Sequence, residues 1–414
     1  MPKEMISMYR TRSVWTRARP VAGGFHQVVA SQVTTRVVPH IGAVSRREWN
    51  ALVGPDAFYT THGWLDGLRH SFGNDPVVLA EDHAGRLLGG VPTWPGETDP
   101  SDLFDLTRML PGLHIPAEGW LWLGPRRGTQ NALVGPAPGT RPILGPLLDR
   151  TLALARSRGL DGVVMPYLPS RYALLLAAAH PRARALLHSA DTLLPIPQGG
   201  LEAYLAKLGR RDRHRRRREL RDLSRSGAQT AWRPFTPDLQ DTAVRLITQN
   251  RARYGGTPDE SWMRRSIAAQ RAVGVLDDAY ASVVTRDDSP VAIAILYGCG
   301  DRLHARYFGF DYARHQPAGE YFVALYQTPL QHAAKAGYRH YHLGISAWPS
   351  KIRRGAELVP QAAVILPVNG TVCSDDQAAE HNAQAVRAWR AIAPGRPHAY
   401  GPAWSDWVSQ DTES

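Results

Sequence analysis

The stretch DDAYASVVTRDDSPVAIAILYGCGDRLHARYFGFD (277–311), with AGEYFVALYQTPLQHAAKAGYRHYHLGI (318–345) close behind it, decides the fold. In the first stretch apolar runs alternate with two polar turns, at 287–290 and 298–302. This predicts a three-strand antiparallel meander. The second predicts a long helix running into a strand, with Tyr321, Leu325, Leu330 and Ala333–Ala334 on its inner face. Pro329 has no N–H to donate and is expected to kink or interrupt that helix. Gly337 ends it.

Working outward, SGAQTAWRPF (226–235) reads as a strand, and LQDTAVRLITQNRARYG (239–255) and ESWMRRSIAAQRAVG (260–274) as helices. The first half has the same order. TRVVPHI (35–41) is a strand, VSRREWNALV (44–53) and TTHGWLDGLRHSF (60–72) are helices, and 76–94 is a hairpin turning at 82–85. Residues 95–145 are dense in Gly and Pro, which argues for long loops over a sheet. ILGPLLDRTLALARSRG (143–159) is a helix and LDGVVMPYL (160–168) a buried strand; YALLLAAA (172–179) and ALLHSADTLLPI (185–196) suggest helix, then strand. Both halves thus end with a meander, a helix closed by glycine (Gly159, Gly337) and a strand directly after. The expectation is an α/β protein with mixed, α+β-like sheets in two related domains, 35–195 and 196–400, joined near 195–200. A disordered leader (1–34) and a tail (401–414) flank them.

The composition, 43% hydrophobic and 21% charged in 414 residues, is that of an ordinary globular protein. No run approaches the ~18 apolar residues of a membrane span, and the first thirty residues lack the charged-then-apolar pattern of a signal peptide. Two cysteines, Cys299 and Cys373, exclude a disulfide framework and a Cys-based zinc cluster. A cytoplasmic protein is the expectation. Its formal charge of +12 and pI near 9.9 favour anionic partners: nucleic acid, a phosphorylated cofactor or a membrane surface.

Much of that charge lies in RRDRHRRRRELRDLSR (210–225). From 207 to 225 there are ten Lys or Arg against three acids, Asp212, Glu219 and Asp222. Leu201, Tyr204, Leu205 and Leu208 give the entrance an apolar helix face, which vanishes until Leu220 and Leu223. A helix without an apolar stripe is expected to turn its middle to water or to a polyanion. A merely solvated face is the competing reading. Like charges at i, i+4 repel, however, and so call for a compensating anion.

The order of these elements resembles the GNAT-superfamily acyltransferases of the Fem-like class, which include tRNA-dependent aminoacyltransferases and related N-acyltransferases. The resemblance covers residues 196–368 well and 36–195 loosely. It rests on the basic helix, the meander, the Pro317-Ala318-Gly319 helix start, Gly337, the strand YHLGI, and Lys351 ahead of a basic glycine turn (Arg353, Arg354, Gly355). It implies tandem GNAT-like domains and transfer of an acyl group to an amine. Fem-type members take that group from aminoacyl-tRNA, ordinary GNAT members from acyl-CoA. Family members often carry an acid on the strand where this chain has His342.

Aminolysis of an ester or thioester needs a neutral amine, donors for the carbonyl oxygen and positioning of both reactants. It needs no cofactor and no metal, and the sequence offers no metal, nucleophile-elbow or P-loop motif. Lys351 is expected in a loop after a strand, as an ammonium for a donor phosphate or the developing oxyanion. Gly319 precedes a helix whose free N–H groups suit phosphate; Glu320 there could instead complement the dipole. His304, Tyr307 and Asp311 lie on one strand and turn, with His304, Arg306 and Phe308 expected on one face and Tyr307 on the other; His or Asp there is a candidate proton acceptor. His342 and His340 share a strand face. Arg211, Arg215, Arg216, Arg217, Arg218, Arg353 and Arg354 are candidate donor-binding cations. Trp64, Trp94, Trp120 and Trp122 are either an acceptor pocket or core. For each polar residue, a structural role as a satisfied turn, sheet-edge or solvated side chain is the alternative.

The leading expectation is therefore aminoacyl transfer from charged tRNA to a small-molecule amine acceptor, a natural-product or cell-wall precursor. An acyl-CoA donor is the second. A non-catalytic RNA-binding or peripheral membrane-binding protein is the third.

Overall fold

A computed structural model describes residues 33–96, 102–135, 141–314 and 319–407. The expected leader falls almost wholly outside them, as do Pro317, Ala318 and the end of the tail. Among the described residues twelve strands run in chain order: β1 (Thr34–Val38), β2 (Val77–Glu81), β3 (Leu87–Trp94), β4 (Trp120–Leu123), β5 (Gly162–Pro169), β6 (Arg184–Pro195), β7 (Gln229–Pro234), β8 (Ala279–Arg286), β9 (Ser289–Cys299), β10 (Arg302–Phe310), β11 (His340–His342) and β12 (Glu357–Pro367). They form one sheet in the order β1-β2-β3-β4-β5-β12-β6-β11-β10-β9-β8-β7.

That order shows the internal repeat. In the first half β1 to β4 are antiparallel neighbours and β4–β5 is parallel. In the second, β7 to β10 are antiparallel neighbours and β10–β11 is parallel. The mixed α/β fold is as the sequence predicted, and the two halves repeat one strand order. What the sequence did not show is a strand exchange. The first half's last strand, β6, pairs with the second half's β11, and the second half's last strand, β12, lies between β5 and β6.

Helices cover both faces, because β5, β9 and β12 are buried almost end to end and have no side to give to water. Helix Gln240–Arg253 crosses β10 at Gly309, where a Cβ would stand 2.5 Å from the Ile247 nitrogen. The helix His62–Phe72 of the first half packs on Ser261–Ala272 of the second.

The helix after Gly319 is not uniform. Val323–Gln327 forms a π turn between Glu320–Phe322 and Thr328–Ala333. Pro329 causes it: the ring would clash with the carbonyl four residues back and supplies no N–H. The wider turn leaves the Leu325 carbonyl free of the helix, and it accepts the Tyr341 hydroxyl at 2.8 Å. No helix among the described residues is long and apolar enough to cross a membrane.

Strand exchange makes each half incomplete. Segments 35–195 and 196–400, expressed separately, should each lack a cooperative thermal transition, and co-expression should restore one. A cooperative transition in either segment alone would contradict the exchange.

Candidate functional site

The parallel pair β10–β11 matches only three residues, Arg302–His304 with His340–His342, while β10 runs on to Phe310. Beyond His304 and His342 the strands part. Among the described residues no side chain hydrogen-bonds across that opening. In the first half the corresponding opening between β4 and β5 is plugged: Asn131 donates to the Leu123 and Pro166 carbonyls at 3.1 and 3.2 Å. The second half therefore holds the better candidate site.

His304 and His342 are register partners and share a face. Their rings stack at 4.6 Å with 4° between planes. Phe58, from a short 3-10 turn of the first half, stacks on the other side of His304 at 5.0 Å, and Tyr59 meets it edge-on. Among the described residues neither His304 nitrogen has a partner, and burial pushes its pKa well below the usual imidazole range, helped by His342 and Arg302. His304 is therefore neutral. Burial also raises the Tyr59 phenol to about 12, so it keeps its proton.

His342 has an acid after all, from the exchanged strand. Asp191 Oδ2 on β6 lies 2.9 Å from His342 Nδ1, and Gln130 Nε2 lies 3.2 Å from the same oxygen. With Nδ1–H donating to Asp191, Nε2 is the basic nitrogen; Arg302 stands 3.4 Å from it. Sequence reading missed Asp191. A carboxylate inside the apolar strand ALLHSADTLLPI was the available signal.

Lys351 is not in an exposed loop. It sits in the short helix Trp348–Ile352, 2% exposed, and Nζ donates to the Leu343 and Gly344 carbonyls at 2.6 and 2.7 Å. Burial lowers its pKa to about 7, against the pull of Asp191. Thr192 holds the Gly344 carbonyl as well, at 2.5 Å. The strand end beside the opening is thus tied from two sides.

The basic helix (Arg210–Arg225) is only partly a water-facing surface. Arg216 is 2% exposed, contrary to expectation, and binds Glu219 at 2.5 Å. Glu219 also holds Arg354 at 3.0 Å, and that guanidinium lies 3.6 Å over the Phe322 ring. Gln327, from the π turn, reaches the Arg216 carbonyl at 3.3 Å. Arg216 and Arg354 are therefore internal, because the carboxylate between them offsets their desolvation. Arg210, Arg211, Arg215, Arg221 and Arg225 are exposed and pair with no carboxylate among the described residues, while Arg217 and Arg218 pair with Glu202 and Asp222 at the surface. Arg353 is exposed.

Other expectations resolve variously. Alternation on β10 breaks at a bulge between Ala305 and Tyr307, so the expected facing of His304, Arg306 and Phe308 does not hold. Tyr307 instead lies beside Arg306, 5.5 Å from ring centre to guanidinium. Asp311 is buried in an ion pair with Arg245 at 2.9 Å. His340 faces Asp301. Gly319 adopts φ 117°, a conformation that favours glycine, at the helix entrance; Glu320 is buried against Arg286. Trp94, Trp120 and Trp122 are core of the first half, and Trp64 belongs to a separate cluster that spans both halves.

Residues 210–358 match the family model described as an acetyltransferase (GNAT) domain. No curated protein matches the chain. Among solved structures, FemX aligns with a TM-score of 0.54 at 12% identity, covering 78% of this chain and 96% of FemX. A conserved protein of unknown function from Bacteroides thetaiotaomicron VPI-5482 gives 0.52 at 12%, covering 78% and 98%. The C-terminal domain (DUF2156) of a protein named as a lysylphosphatidylglycerol synthetase, from Agrobacterium fabrum, gives 0.50 at 14%, covering 84% and 96%. At these identities the likeness is one of fold. Residues 210–358 are thus similar to a GNAT acetyltransferase domain, which supports acyl transfer as the class of activity.

Two outcomes follow. Glu219→Gln leaves two buried guanidiniums without a counter-charge and should cost about 3 kcal/mol of stability, read by denaturant unfolding; an unchanged midpoint would contradict the bridge. His304 is buried neutral, and so is His188, pulled down to about 3 by burial and by His381. Below about pH 6.5 the unfolded chain binds protons that the folded one refuses. Stability is then full above pH 6.5 and falls by up to about 1.4 kcal/mol per pH unit for each histidine below it. His304→Phe should flatten that slope; an unaltered slope would show that His304 titrates normally.

Proposed function

We propose that the protein transfers an acyl group, aminoacyl from aminoacyl-tRNA, to a small-molecule amine by direct aminolysis. The observation that carries this reading is the buried link Arg216–Glu219–Arg354. It anchors the helix with the exposed arginines to the segment that carries Lys351, which in turn holds the end of β11; in this reading a polyanion on that helix reaches toward the β10–β11 opening. A short acyl-carrier such as acyl-CoA does not need so extended a basic face, whereas a tRNA backbone engages many cations at once.

The chemistry assigned to the site is as follows. The neutral amine attacks the ester carbonyl carbon, a C–N bond forms, and the bond from that carbon to the tRNA 3′ oxygen breaks. His342 Nε2 takes the amine's proton, with Asp191 holding the ring and stabilising the imidazolium, and returns it to the leaving oxygen. Two of the Lys351 N–H groups are committed to carbonyls when it is protonated; the third is left for the oxygen that gains charge. Gly319 and Arg353 are assigned to the donor's phosphates, with His304 and Tyr307 packing around the reacting groups.

The match of residues 210–358 to an acetyltransferase family favours acyl-CoA as the second reading. Transfer assays with labelled aminoacyl-tRNA and labelled acetyl-CoA separate the two. The expected result is RNase-sensitive transfer from tRNA alone. Replacing Arg210, Arg211, Arg215 and Arg221 together by Gln should lower it more than ~10-fold. The same change should flatten its dependence on log salt by roughly one unit for each phosphate no longer neutralised. Undiminished transfer with an unaltered salt slope would overturn the tRNA reading, and transfer from acetyl-CoA would replace it.

A further inference from the structure

Between the two halves lies a pocket of which the catalytic scheme uses only one wall residue, Tyr307. Its walls are Trp64 on the first half's helix His62–Phe72, Ser266 and Gln270 on the second half's helix Ser261–Ala272, Arg127 on a first-half loop, and Arg306 with Tyr307 on β10. Its cavity volume is about 40 Å³, a few times what one water needs. That is room for a short molecule and not for a nucleotide.

Arg306 is the unusual member. The bulge after Ala305 re-aims it, and it packs against the rings of Tyr59, Trp64 and Tyr307 at 5.4, 5.7 and 5.5 Å. No carboxylate forms an ion pair with it among the described residues. Nη2 donates to the Arg127 carbonyl at 3.3 Å and the neutral Tyr307 and Tyr59 hydroxyls accept from the same guanidinium, while buried Nε has no partner among the described residues. Other deeply placed guanidiniums of the second half do have a counter-charge: Arg216 and Arg354 share Glu219, and Arg286 has Glu320. An always-charged group placed among aromatic rings without one is costly unless an anion arrives from outside. The guanidinium is planar and presents paired donors, which suits a carboxylate bidentately. Ser266 and Gln270 add neutral polar groups to the same walls.

We propose that this pocket binds a short amino acid by its carboxylate, and that this ligand is the amine acceptor. Resting on the acyl-transfer reading, the inference deepens it by naming the acceptor class. Arg306 follows His304 by two residues on β10, and the Tyr59 ring touches both, 5.4 Å from the guanidinium and 5.9 Å from the imidazole. A carboxylate held there brings the amine of the same small molecule toward the proton acceptor. The requirement for an acid also excludes amines that lack one.

The test is calorimetric titration of the full chain with glycine, β-alanine and γ-aminobutyrate, each beside its carboxamide, with inorganic phosphate as a separate arm. It needs no donor, so it stands or falls apart from the tRNA reading. At least one amino acid should bind ~10-fold or more tightly than its amide. Arg306→Gln should abolish that preference and Arg306→Lys should restore part of it. Ser266→Leu, which fills the pocket and leaves Arg306 in place, should block binding while the melting transition remains cooperative. Acid and amide binding alike, no binding at millimolar concentrations, binding unaffected by Ser266→Leu, or phosphate binding more tightly than every amino acid would each overturn the proposal.

Discussion

The carboxylate of Glu219 lies between two guanidiniums that are almost wholly out of water, Arg216 and Arg354. Each would be prohibitively costly to bury alone, and the shared anion makes both tolerable. Through this bridge a helix that has no apolar stripe over its middle turns still gains a fixed seat. The Tyr204 hydroxyl donates to the Arg354 carbonyl at 2.9 Å, and Gln327 reaches both Arg216 and Glu219, so the π turn forced by Pro329 joins the same network. The exposed arginines are thereby held in a definite place relative to Lys351 and the end of β11.

A second constraint is the exchange of terminal strands. Because β6 crosses to the second half, Asp191 comes to His342, and because Phe58 and Tyr59 cover β10, His304 is sealed from water. The catalytic group assigned to the second half is thus completed by residues of the first. The first half's own opening is bridged by Asn131 and contributes structure, and the loop ahead of Asn131 brings Arg127 to the interdomain pocket.

Much of the fold was legible because its signals are local. The meander of 279–310 and its two turns, the helix closed by Gly337 and the parallel order of both halves follow from apolar runs and turn residues. The effect of Pro329 was also legible, although its form was a widened turn and not a break. What the sequence hid is non-local. Arg216 reads as one more surface charge until Glu219, three residues on, joins it to Arg354, which lies 135 residues beyond that carboxylate. Lys351 reads as a loop residue because the two carbonyls that hold it come from eight and seven residues earlier, folded back beneath it. Asp191 and Arg306 owe their settings to strand exchange and to a bulge, neither of which leaves a pattern in the chain.

The central claim is that the fixed arginine face serves a nucleic-acid donor. Its most direct test is mass spectrometry of what co-purifies with the full chain at low salt. The account predicts tRNA enriched in charged species, retained by the wild-type protein and lost when the exposed arginines are neutralised. Recovery of a CoA thioester without RNA, or RNA retention indifferent to those arginines, would contradict it.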